Sequence, residues 1–177
     1  MRHLELRRHA QRDKPHDRLS AAGRDLARHV GKTIGPFSHV LASPAERARE
    51  TATAMGFTLD ATCAPPPVPP ELAELLDRCL AEKRAFRGLA QAQAGTPALA
   101  SYLRQLREFW LTLAASVPED AAALVITHAG ILELSALACL PAADPGTWGP
   151  AFAPCEGIRL AYAGGDFQSG VLLRVLA

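Results

Sequence analysis

Apolar residues recur along the chain with two different periods, and the switches between them set out an alternation of strands and helices. Leu4 and Leu6 alternate with Glu5 and Arg7 before the run stops at Arg8-His9-Ala10, which predicts a first strand that ends on a histidine. Gln11 to Arg18 is polar, carries Asp13, Lys14, Pro15, His16 and Asp17, and reads as a loop beside that histidine. From Ser20 the spacing turns helical through Ala22, Leu26, Val30 and Ile34, with Ser20 as N-cap and Gly35-Pro36 as terminator. His39 to Ala42 follows as a short second strand. Ser43-Pro44-Ala45-Glu46 then sets hydroxyl, proline and glutamate at capping-box spacing, so a helix is expected with Ser43 as N-cap and Arg47 about one turn in.

Further along, Phe57 to Thr62 suits an edge strand, and Ala64 to Pro70 is an extended, stiff connector because its prolines fix φ and remove donors. Glu71 to Leu76 opens another helical segment with two carboxylates in its first turn. Arg84 to Gly95, rich in Ala, Gln and Gly, is expected to be a mobile excursion. Leu99, Leu103, Leu106, Trp110, Leu113 and Val117 then mark the core stripe of a long helix begun at Thr96-Pro97. Ala123 to Ile126 is continuously apolar, as a strand buried on both faces should be. It runs into Thr127-His128-Ala129-Gly130, repeating the opening geometry, and a helix follows up to Pro141. Pro141 to Pro154 is a loop holding Trp148 and Phe152, either a lid or a packed surface excursion. Ile158–Tyr162 and Val171–Val175 flank Gly164-Gly165-Asp166 and predict a closing hairpin.

Strands alternating with helices give an α/β fold, and 177 residues suffice for one buried core, so residues 1–177 are expected to form a single domain. An apolar content of 49% excludes global disorder. With 19 Lys+Arg against 18 Asp+Glu the net charge is +1, so the overall balance calls for neither nucleic acid nor a membrane surface, and any electropositive site is local. Cys63, Cys79, Cys139 and Cys155 form no C-x-x-C pair, and no secretory leader is apparent. Reduced thiols in a cytoplasm are the expectation.

The candidate chemistry lies where strands end. Two strand-end histidines, with Arg8 and Arg47 aimed at the same sheet edge, make a coherent phosphate pocket, because guanidinium forks match phosphoryl oxygens. An unprotonated imidazole can attack phosphorus, and a second, charged imidazole can stabilise the equatorial oxygens. That chemistry calls for no metal. Arg47 sits near the positive end of a helix dipole, a conflict that an anionic ligand would resolve.

These residues also carry a resemblance. Arg8-His9-Ala10 resembles the Arg-His-Gly/Ala signature of the histidine phosphatase superfamily, Leu19 to Gly23 its Leu-Thr/Ser-x-x-Gly element, Ser43 to Ala52 its Ser-Pro-x-x-Arg-Ala-x-x-Thr-Ala helix, and Thr127 to Gly130 its second histidine motif. The four matches fall in the family's order. The resemblance implies a phosphoglycerate mutase-like fold, a three-layer α/β/α sandwich with a mostly parallel central sheet. It implies that His9 is the nucleophile, forming a phosphohistidine, and that Arg8, Arg47 and His128 hold the phosphoryl group. It also implies a general acid at Glu74, in Leu72-Ala73-Glu74, with Glu71 as the rival. The Trp-Glu-Gly signature of the mutase branch is absent, since Asp77-Arg78-Cys79 follows Leu76. Phosphohistidine phosphatases of the family have no acid there. His3, His16, His29 and His39 match no motif.

The resulting expectation is a metal-independent phosphatase without cofactor, acting on a phosphorylated small molecule or a phosphohistidine protein. A phospho-ligand binding module that has lost turnover is the alternative. A sugar-phosphate mutase is the weaker reading, because the chain is short and lacks the mutase branch's glutamate context.

Overall fold

The computed structural model describes residues 1–140 and 142–175. In chain order the elements are β1 (Arg2–Arg8), α1 (Ala21–Gly31), β2 (His39–Ala42), α2 (Glu46–Ala54), β3 (Ala61–Thr62), α3 (Ala73–Leu80), α4 (Ala85–Gly95), α5 (Pro97–Ser116), β4 (Ala122–Thr127), α6 (Ile131–Cys139), β5 (Gly157–Ala163) and β6 (Asp166–Leu173), with single 3₁₀ turns at Pro70–Leu72 and Pro145–Thr147. The strands form one sheet in the order β3-β2-β4-β1-β5-β6. Neighbours from β3 to β1 run parallel, and β5 is antiparallel to both β1 and β6.

Every residue of β4 is buried, and its side chains divide by parity. Ala123 and Val125 join the core beneath α3 to α6, whereas Leu124 and Ile126 join the core beneath α1 and α2. Helices on both faces explain why the strand reads as an unbroken apolar run. The result is the α/β/α sandwich with a mostly parallel sheet.

After β1 the chain moves past β4 to β2, and after β4 it moves past β1 to β5. The connections therefore diverge at the carboxyl ends of β1 and β4, the place where open α/β sheets bind ligands. Arg8 pairs with Thr127 in the parallel register, so the residues that follow them, His9 and His128, leave the sheet side by side.

Several local expectations change under tertiary packing. The segment 84–95 is not an irregular excursion: Ala85 to Gly95 is helical, because burying Ala85, Phe86 and Leu89 adds to the good helix propensity of its Ala and Gln residues. Helix α1 stops at Gly31 rather than at Ile34; a Cβ on Gly31 would lie 2.0 Å from the Met55 carbonyl oxygen, so α1 and the end of α2 touch by backbone there. The edge strand shrinks to Ala61–Thr62. In the loop after α6, Phe152 is fully buried and packs edge-on against Phe86 at 5.2 Å, so this part is a packed excursion rather than a lid; Pro141, its first residue, lies outside the described residues.

Candidate active site

Each of the short sequence signatures has a local structural reason. The Ser20 N–H donates to the Gln11 carbonyl at 3.0 Å, and the Ser20 hydroxyl accepts from the Gly23 N–H, also at 3.0 Å, capping α1 as expected. At Gly23 a Cβ would stand 2.1 Å from the Gln11 oxygen, so only glycine lets α1 approach the chain leaving His9. In α2, Thr51 accepts from the Ala10 N–H at 2.9 Å and donates to the Arg47 carbonyl at 2.7 Å, while Glu50 accepts from the Leu19 N–H at 2.6 Å. Helix α2 thus clamps both sides of the loop that follows β1.

Ser43 does not cap that helix. Helix α2 begins at Glu46 with no side-chain cap from its own N-cap residue, Ala45, and the acceptor for the Glu46 N–H is Asp17 Oδ2 at 2.9 Å. Asp17 also binds the Arg47 guanidinium through Oδ1, an ion pair that holds its carboxyl below the ordinary range. A carboxylate contributed by a distant loop therefore settles the dipole conflict at Arg47, the second residue of α2. The Ser43 hydroxyl is engaged elsewhere, 2.6 Å from His128 Nε2.

The centre of the site is a guanidinium between two imidazoles. Arg47 Nε donates to His9 Nε2 at 3.0 Å and Arg47 Nη2 donates to His128 Nδ1 at 3.0 Å. Arginine has no acceptor, so both of those ring nitrogens carry lone pairs. The single proton of neutral His9 is then on Nδ1, donated to the Ala10 carbonyl at 2.7 Å, and that of His128 is on Nε2, donated to Ser43. The ring centroids are 5.3 Å apart. Both imidazoles have pKa values lowered to about 4, chiefly by burial; Arg47 lowers each further, and His128 and Arg8 act on His9 as well. At neutral pH, His9 therefore presents an unprotonated Nε2, which is the form required of a nucleophile.

Arg8 enters from the other side. Its Nη1 donates to the Phe152 carbonyl at 2.5 Å, and its buried Nε has no acceptor among the described residues. A buried guanidinium N–H of this kind is normally satisfied, and an oxyanion at the head of the two strands would satisfy it. Arg8, His9, Arg47 and His128 line one cleft of about 800 Å³ together with Ala10, Gln11, Arg12, Asp13, Lys14, Ser20, Ala129 and Pro154. The sequence-derived constellation is therefore brought together, with one departure. Glu74 and Glu71 are exposed and neither lines the cleft, so the expected donor position lies outside it; the lining carboxylate is Asp13. Sequence reasoning missed Ser43 and Asp17 as parts of the site, and both fall inside segments it had singled out for other reasons. Among the described residues no group of three or more His, Cys, Asp or Glu is placed to hold a metal ion.

Comparison with known proteins bears on the family and the fold. The family model of the histidine phosphatase superfamily (branch 1) matches residues 2–172. No curated protein sequence matches the chain. Among solved structures, phosphoserine phosphatase from Entamoeba histolytica, in complex with 3-phosphoglyceric acid, superposes with a TM-score of 0.69 at 17% identity, covering 99% of this chain and 98% of that one. A mycobacterial glucosyl-3-phosphoglycerate phosphatase gives a TM-score of 0.62 at 20% identity, covering 98% of each chain. The chain belongs to the histidine phosphatase superfamily, branch 1, and has the phosphoglycerate mutase-like fold.

Proposed function

We propose that the protein hydrolyses a phosphomonoester or a phosphohistidine in two in-line steps through a phosphohistidine on His9. In the first step the lone pair on His9 Nε2 forms a bond to phosphorus and the bond to the leaving group breaks, its electron pair staying with that group. In the second, water attacks the phosphohistidine and restores the imidazole, releasing inorganic phosphate. The observation that carries this reading is the Arg47 guanidinium lying between two neutral imidazoles, which fixes the His9 tautomer with Nε2 unprotonated; its lone pair accepts from Arg47 until the phosphoryl oxygens take that guanidinium.

Phosphoryl transfer asks mainly for positioning and charge stabilisation, and the cationic seat supplies both. Arg8 and Arg47 take the equatorial oxygens, and His128, oriented by Ser43, adds a third donor. An incoming phosphate dianion opposes the forces that lower both imidazole pKa values, so His128 gains a proton as the anion seats. The cleft wall beyond the seat is formed by Gln11, Arg12, Asp13, Lys14 and Ser20 and contains no aromatic side chain, which supports a hydrophilic substrate. A phosphorylated small molecule suits it, and a phosphohistidine protein is the alternative. With Glu71 and Glu74 outside the lining, good leaving groups are favoured, because a phosphoramidate or aryl phosphate needs less protonation than an alkyl ester.

We read residues 1–177 as one domain working in the cytoplasm, a reading supported by four buried free thiols and by the absence, among the described residues, of a helix long and apolar enough to cross a membrane. The test is hydrolysis of an aryl phosphate and a panel of phosphorylated metabolites and phosphohistidine peptides, with and without chelator. Turnover that survives chelation and is inhibited by vanadate supports the proposal. Tight phosphate binding with no hydrolysis anywhere in the panel would assign the cleft to ligand binding instead.

A further inference from the structure

Glu133 is a fully buried carboxylate on α6, a helix whose every residue from Leu132 to Cys139 is buried. An acid in such surroundings is costly unless both of its oxygens are bonded. Both are. Oε2 accepts the Gly130 N–H at 2.6 Å and Oε1 accepts the Phe152 N–H at 2.8 Å. These two donors belong to the two segments that frame the phosphate seat. Gly130, in a left-handed conformation at φ +85°, closes the turn two residues after His128. Phe152 is the residue whose carbonyl takes Arg8 Nη1 at 2.5 Å.

The position of Phe152 is fixed on other sides as well. Its ring packs against Phe86 at 5.2 Å and lies under the Arg174 guanidinium at 4.8 Å. Arg174 also donates to the carbonyls of Trp148 and Pro150, at 2.7 and 2.8 Å, and so holds the surrounding loop. The Phe152 carbonyl shares its peptide plane with the Ala153 N–H, which donates to Glu156 Oε2 at 2.8 Å, so the ring, the N–H and that plane are each held while the carbonyl takes Arg8. Arg8 borders the cleft, whereas Glu133 does not.

We propose that Glu133 is a positioning residue: from beneath the cleft it helps to place Arg8, by holding the backbone of Phe152, and holds the turn that follows His128. This rests on the reading of the cleft as a phosphate seat. A carboxylate is specified rather than an amide because both partners are donors. A glutamine offers a single oxygen and would set its NH₂ group against the second N–H, releasing either Gly130 or Phe152.

The test is Glu133→Gln, measured by calorimetric binding of inorganic phosphate alongside aryl phosphate kinetics. Losing one hydrogen bond to a charged acceptor should weaken phosphate binding about tenfold and lower kcat/KM by at least as much. In the Arg8→Lys background, where the fork that Phe152 aims is gone and only the hold on the turn after His128 remains, the same substitution should change phosphate binding by less than about threefold, giving a coupling in the double-mutant cycle that reports the Arg8 route. Phosphate binding that is unchanged or tighter in Glu133→Gln, or an effect of equal size in both backgrounds, would overturn the proposal. If Glu133→Gln does not fold, Arg174→Lys loosens Phe152 from the opposite side with Glu133 still in place. It should weaken phosphate binding severalfold, and no change would count against the Phe152 route. Should the wild-type protein fail to bind phosphate at all, the phosphate seat itself would be the reading that falls.

Discussion

The floor of the cleft and the helical arc that runs past it are built on opposite terms. On the floor, each polar group of His9, His128 and Arg47 named above has a bonded partner, and those partners come from the segments that follow β1, β2 and β4, from α2 and from the loop before α1. The arc from Pro70 to Gly95 buries Leu72, Leu76, Cys79, Phe86 and Leu89 but leaves Glu71 and Glu74 in solvent, and it lends nothing to the lining. On the proposed mechanism, chemistry at phosphorus has a pre-organised frame, while the leaving group meets mainly the polar loop that follows His9. The two regions should therefore differ in tolerance to change by orders of magnitude.

Substitutions should reveal that contrast at once. His9→Ala should abolish turnover of an aryl phosphate, by at least about a thousandfold, since no nearby group can take over as nucleophile. Arg47→Ala should cost on the order of a hundredfold in kcat/KM, because it removes a phosphoryl donor and the group that fixes both imidazole tautomers; steady-state kinetics measure it. On the arc, Glu71→Gln and Glu74→Gln should each stay within about twofold of wild type on the same substrate. A large loss at Glu74 would erase the distinction between floor and arc and restore the acid expected from the sequence.

The floor also makes the molecule sensitive to pH, with a definite sign. His9 and His128 titrate near 4 in the folded chain and near 6.5 once unfolded. Between those values the unfolded chain binds more protons, so the stability contributed by the two neutral rings is complete above about pH 6.5 and declines as pH falls toward 4. Thermal unfolding followed across that range should show the decline, and saturating phosphate should reduce it by favouring the charged rings. A smaller effect than those at His9 and Arg47 is expected at Asp17, which competes with an anion for Arg47. Asp17→Ala should tighten phosphate inhibition a few-fold while costing roughly 1 kcal/mol of stability through the lost cap on Glu46.

What could be read from the sequence divides along a similar line. The strand ends at His9 and His128 are legible because alternation and continuous apolarity are local signals, and parallel pairing of two such strands is enough to bring the rings together. Partners chosen by the fold are another matter. Ser43 carries a good capping signature, yet its hydroxyl serves His128, and the cap it seemed to provide comes from Asp17 across the cleft. Glu133 looks like an ordinary first-turn glutamate until Phe152 arrives from beyond the next loop. Helix α4 was hidden because its Ala, Gln and Gly composition carries little periodicity, and only the burial of Phe86 and Leu89 against α5 and α6 decides its state.

The most direct test is to quench the enzyme in alkali during turnover of a phosphorylated substrate and locate the covalent phosphate by mass spectrometry and phosphorus NMR. A base-stable, acid-labile adduct on Nε2 of His9, absent in His9→Ala, is the expected result. Phosphate attached to any other residue, or full turnover in His9→Ala, would contradict the assignment of His9 as the nucleophile.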